Sequence, residues 1–170
     1  ALNETPLARS CVTSLGRNSA ATFSCTSTVS AELQTDGRLM RAFAFSSQPL
    51  DPGRHCAALA DPASGGYASF VGLVRDHNEG RAVRGLEYEA YAALAEREGE
   101  RIVAEAVAKY GVQHAACIHR IGDLALGEMA VWVGVSSRHR AEAFAACRYI
   151  IDEVKHRVPI WKKEHYVDGD

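Results

Sequence analysis

Apolar and polar positions follow two different periods along this chain, and the switches between them mark its elements. Residues 67–75 place Phe70 and Val74 on one side and Val71 and Leu73 on the other, which predicts a strand, followed by a polar loop over 76–80. In 83–91, Leu86, Tyr88 and Ala90 alternate with Glu87 and Glu89, the pattern of a half-buried strand. The period then lengthens. Ile102, Val103, Ala106, Val107 and Tyr110 lie on one stripe of a helix over 92–110 that Gly111 ends. Strands are predicted over 115–121 and 129–136, joined by a turn over 122–127. A second helix is predicted from about 138 to 157, with Phe144, Cys147, Ile151 and Val154 packed inward and Pro159 stopping it. Upstream, 41–46 reads as a short strand, Asp51-Pro52-Gly53 as a turn and 54–60 as a short helix. Many strands, hairpin connections and two substantial helices predict an α+β domain rather than a doubly wound parallel sheet.

Residues 1–39 break this pattern. Twelve of them are Ser or Thr, Phe23 is the only aromatic, and there is no lysine. So little apolar surface cannot offset the entropy of ordering, so the segment is expected to be disordered. Met40 stands where the composition changes, which suggests a natural start there and a non-native extension before it. The domain expected to fold is therefore 40–170.

Composition narrows the function classes. The net charge of −2 gives no global field for nucleic acid, and the apolar runs are too short for a membrane span. Neither is expected as a partner. The five cysteines are scattered without a C-x-x-C pair, which fits a reducing compartment, the cytoplasm, better than a disulfide framework. Cys117 and His119 would share a strand face, but two residues do not make a metal site, and no metal is expected. Glu87 and Glu89 read as a solvated strand face, and no phosphate loop or nucleophile elbow is present.

Lysine usage points to chemistry. The chain has 15 arginines and four lysines, and Lys155, Lys162 and Lys163 fall within nine residues. A desolvated lysine can give up its proton, whereas a guanidinium effectively cannot, so lysine here suits proton transfer or nucleophilic work. The competing reading is a basic, solvated helix end. His139 and Arg140 open the helix that ends near Lys155, and a helix N-terminus beside a cation suits an anion. The two ends lie roughly 24 Å apart, so either there are two sites or a second copy completes the first. Arg75, at a strand end before a polar loop, is a third anion contact.

Five ordered blocks carry a resemblance: FVGLVRDHNEG (70–80), LEYEAY (86–91), HRIGDLALGE (119–128), SSRHRAEAF (136–144) and KHRVPIWKKE (155–164). Together they resemble the MoaE family, the large subunits of molybdopterin synthase, over about 40–170. The resemblance implies an α/β hammerhead fold and a sulfurtransferase of molybdenum cofactor biosynthesis. Such an enzyme converts cyclic pyranopterin monophosphate to the molybdopterin dithiolene. Sulfur would come from the C-terminal Gly-Gly thiocarboxylate of a small ubiquitin-like subunit. The assembly would be a homodimer of large subunits flanked by two small ones. The resemblance makes Lys155 and Lys162 catalytic, and assigns Leu73, Val74, Arg75, His139, Arg140, Lys163 and Glu164 with them to the substrate pocket. His139 and Arg140 would come from the partner copy. It implies no cofactor, because sulfur arrives already activated and molybdenum enters later.

Two anions must then meet, and a cationic pocket would remove their repulsion and orient both. Members of the family continue past the D-G at Asp168-Gly169; if that stretch helps close the pocket, affinity is expected to be lower here. The alternatives are a non-catalytic anion-binding module and a scaffold that only docks a ubiquitin-like partner. The first predicts salt-dependent binding to nucleic acid, and the second predicts indifference to Lys155→Ala.

Overall fold

The computed structural model describes residues 33–35 and 38–169, with side chains from residue 41. In chain order the elements are β1 (Leu33–Thr35), β2 (Arg38–Met40), β3 (Phe43–Ser46), α1 (Pro52–Ala58), β4 (Gly66–Leu73), β5 (His77–Asn78), β6 (Arg81–Ala90), α2 (Ala92–Tyr110), β7 (His114–Arg120), β8 (Gly122–Ala125), β9 (Met129–Ser137), α3 (Arg140–Arg157) and β10 (Ile160–Tyr166). The disorder expected for 1–39 falls mostly outside the described residues; within it, β1 and β2 pair antiparallel.

Four strands in the order β3-β7-β9-β4 make the main sheet, in which only β3 and β7 run parallel. Helices α2 and α3 cover one face of it. Phe43, Ile102, Val103, Val133, Ala146, Ile150 and Val154 close the largest core there. On the other face α1 covers a smaller cluster of Leu59, Ala116, Ile118 and Trp132. A second, antiparallel sheet places β6 at its centre, with β10 along one side and β5 and β8 along the other. Val74, Val83, Leu86, Leu124 and Ala130 form a separate cluster that ties β6 and β8 to the ends of β4 and β9. The α+β expectation holds.

Three local expectations are corrected. Asp51-Pro52-Gly53 begins α1 instead of turning: the Asp51 carboxylate accepts from the backbone N–H of Gly53 (2.9 Å) and Arg54 (3.2 Å), and proline fits the first helical turn because its missing N–H has no partner there. The predicted turn over 122–127 contains β8, which pairs with β6 and buries Leu124. On α3, Phe144 is 64% exposed, and Ala143, Ala146, Cys147, Ile150, Ile151 and Val154 face the core. Small alanines let the helix lie close to the sheet and turn Phe144 to its rim. Beyond α3, 160–166 is a full strand, in which Trp161 is 59% exposed.

Candidate functional site

Three elements deliver cations to one place. At the end of β4 the pairing shifts between Gly72 and Leu73, and Val74 then exchanges backbone hydrogen bonds with the 127–128 turn: its N–H donates to Glu128 (3.0 Å) and its carbonyl accepts from Gly127 (2.9 Å). This pins the strand end from which Arg75 emerges. The last turn of α3 carries Lys155, and Val154 and Val158 on either side of the turn are buried. Pro159 prevents the helix from continuing, and the chain reverses into β10. There Lys162 sits directly across from Tyr88 of β6. Arg75, Lys155 and Lys162 thus line one cavity of about 330 Å³ with Leu73, Leu86, Tyr88, His77 and Glu164.

Glu164 organises the polar wall. Its carboxylate accepts from Lys162 Nζ (2.6 Å) and Asn78 Nδ2 (2.7 Å), and Tyr166 donates its hydroxyl to the same group. Asn78 in turn accepts from Arg75 at 3.4 Å. Burial pushes the Glu164 carboxyl up, but hydrogen bonds from Lys162, Tyr166 and Asn78 outweigh it and hold it below its usual value of 4.5. Three fixed cations against one carboxylate leave the cavity positive.

A second cavity of about 430 Å³ adjoins the first, sharing Leu73, Tyr88, Lys155 and Lys162. The rest of its wall is mostly apolar, with Val131, Ile151, Val154, Val158 and Ile160, and His119 is the polar exception. The Lys155 ammonium lies over the Phe70 ring, 5.9 Å from its centroid, within the range of a cation–π contact. Burial raises the Tyr88 hydroxyl above its usual pKa of 10.0, the Lys162 charge opposing and the Glu164 charge adding to the shift.

Of the residues expected at the site, Leu73, Arg75, Lys155, Lys162 and Glu164 come together. Val74 does not: it is 4% exposed and belongs to the cluster beneath. Successive side chains of a strand point to opposite faces, so Lys163 lies on the far side of β10 from Lys162, directly across from Glu87. On that far face Glu87, Asp123 and His165 bring one ligand-type atom each within 4.8 Å of one another. His139 and Arg140 stand exposed at the opposite end of α3, about 22 Å from Lys155 at ~1.5 Å per residue. Tyr88 and His119 were missed. Tyr88 reads as an ordinary member of an apolar strand face. The signal for His119 was a histidine set inside an otherwise apolar strand.

The arrangement defines a class: an α+β domain that gathers lysine and arginine where two sheets and a helix end meet, a cavity whose charge suits anions. Comparisons narrow it. Residues 45–157 match the family described as MoaE protein, and the chain belongs to that family. A relative from Oryza sativa subsp. indica, named molybdopterin synthase catalytic subunit, is 49% identical over 71% of this chain and 63% of its own length, so the match spans less than two thirds of that relative. One of the same name from Pyrococcus abyssi is 47% identical over 67% of this chain and 77% of its own. The solved structure of molybdopterin synthase from Staphylococcus aureus superposes with a TM-score of 0.73 at 35% identity, covering 76% of this chain and 95% of that one.

Proposed function

We propose that residues 40–170 form the catalytic large subunit of a molybdopterin synthase. It transfers sulfur from the C-terminal thiocarboxylate of a small ubiquitin-like subunit to cyclic pyranopterin monophosphate. The observation that carries this reading is the convergence of Arg75, Lys155 and Lys162 on one positive cavity in a MoaE-family fold. The cavity is of the size that takes a small ligand, and it opens onto an apolar slot suited to a narrow peptide tail.

In this reading the guanidinium of Arg75 pairs with phosphate oxygens, and a second copy supplies His139 and Arg140 to the same anion. Lys162, braced by Glu164, holds the tail carboxyl. Lys155 stands between the two cavities. There its ammonium stabilises, or supplies a proton to, the oxygen displaced as each carbon–sulfur bond forms. Lys163 joins this machinery only through another copy or the small subunit, since its side chain leaves the cavity. The relatives' name, catalytic subunit, supports a partner subunit here. A cytoplasmic setting goes with the free thiols of Cys56, Cys117 and Cys147, and among the described residues no helix is long and apolar enough to cross a membrane.

A single-turnover assay tests the proposal. The chain is mixed with thiocarboxylated small subunit and the pyranopterin phosphate, and dithiolene is read as its fluorescent oxidation product. The parent chain is expected to form product, and Lys155→Ala to lose at least about 100-fold, the scale of a lost acid–base or charge-stabilising group. Equal product from both overturns the role of Lys155. A stable complex without product from the parent returns the docking scaffold.

A further inference from the structure

His119 is the one polar side chain in the wall of the second cavity apart from Tyr88 and the two lysines. It is 8% exposed. Its Nδ1 lies 2.7 Å from the Arg120 carbonyl oxygen, and a carbonyl only accepts, so Nδ1 carries the proton. Nε2 is then the ring's free acceptor. Edge-to-face contacts with Tyr88 (centroids 4.9 Å apart) and Phe45 (6.3 Å) fix the ring plane, so Nε2 cannot turn away. Few other partners in this wall could use such an acceptor. The charged and titratable groups that face His119 are Lys155 from α3, Lys162 from β10 and Tyr88 from β6. Lys162 is already committed to Glu164. Lys155 rests on an aromatic face at the outer limit of a cation–π contact, a weak interaction easily given up.

We propose that His119 is a positioning residue for Lys155, its neutral Nε2 accepting from the Lys155 ammonium when that group swings off the Phe70 ring. The inference rests on the synthase reading for its consequence, and on the cavity geometry for the pairing itself. A histidine cation at this point has no acceptor to offer and repels the ammonium it should hold. Burial keeps the imidazole below its usual value of 6.5, the Lys155 charge acting in the same direction and the hydrogen bond to Arg120 opposing it. His119 is thus neutral at pH 7, and the pairing is lost as pH falls through the lowered value.

The test compares the parent with His119→Gln, which keeps an acceptor that does not titrate, and His119→Phe, which keeps the ring and loses the acceptor. Two quantities are followed from about pH 8 down to the acid limit of folding, because the imidazole titrates below its usual value here: the single-turnover rate, and the NMR shift of the Lys155 Cε–H group, identified by its loss in Lys155→Arg. In the parent, both should show one inflection below pH 6.5. His119→Gln should stay within a few-fold of the parent rate at neutral pH and lose both inflections. His119→Phe should lose roughly 10–100-fold in rate with KM little changed, the effect of a misplaced catalytic group.

The pairing is overturned if the Lys155 signal has no inflection that His119→Gln removes, or if His119→Phe reacts at the parent rate. His119→Gln decides alone if His119→Phe does not fold. A parent that makes no product, yet shows the inflection in its Lys155 signal, refutes the synthase reading and leaves the pairing standing.

Discussion

Gly99 shows how little room separates α2 from the sheet. A Cβ at this position would stand 2.2 Å from Cγ of Phe43, a ring that is itself fully buried and cannot step aside. Gly99→Ala should therefore lower stability by about 1–3 kcal/mol in urea unfolding, although alanine is the better helix former. Phe144 and Ile150 make the opposite point on α3. Ile150 is fully buried and Phe144 largely exposed, so Ile150→Ala should cost about 2–5 kcal/mol and Phe144→Ala stay within about 0.5 kcal/mol in the same experiment. From hydrophobicity alone the ranking would be reversed. Periodicity locates a helical stripe only to within one residue in either direction, and where alanines set the contact the largest apolar side chain is a poor guide to its centre. The same holds for His119. Its type was visible in the sequence, but its value depends on Lys155, 36 positions away in the chain.

At the scale of elements, α2 and α3 are joined by one arginine. Arg157 reaches Glu98, Glu105 and Glu153, and Tyr149 also donates to Glu105. The hydrogen bond from Arg157 holds the Glu105 carboxyl below its usual 4.5. A depressed folded-state value contributes stability that is full above 4.5 and is lost as pH falls through the folded value. Melting curves taken from neutral to acid pH should show the parent losing Tm in that window. Arg157→Gln should start lower and lose less. Most elements could be read from the sequence because their patterns are regular: α2, with its stripe and its left-handed Gly111 cap, lies as expected. Strand β10 could not. Lys162, Lys163 and Glu164 look like a solvated tail, and only the hydrogen-bonding edge of β6, where they pair with Tyr88, Glu87 and Leu86, makes that stretch a strand.

For the whole molecule, α3 carries cationic groups at both ends that are too far apart to share a cavity in one copy. If the missing contacts come from a partner, Lys155→Ala and Arg140→Ala damage different halves of each shared site. Mixing the two inactive variants under conditions that exchange subunits should then restore roughly a quarter of the parental sites, because half of the random pairs are mixed and each mixed pair holds one intact site. A lack of recovery, with exchange verified by mass, argues that each copy works alone. The alternation along β10 has a further consequence. With Ile160 still opposite Ala90, deleting Trp161 would bring Lys163 inward in place of Lys162 and His165 in place of Glu164. The cavity would keep an ammonium and lose the carboxylate that braces it. Adding one residue before Trp161 would turn the indole inward in place of Lys162, and Lys163 in place of Glu164. The paired lysines thus leave one ammonium facing the cavity after a slip in either direction, and both slips remove the bracing carboxylate. Variation in the length of this segment should therefore be far less tolerated than exchange of the residues that point away from the cavity.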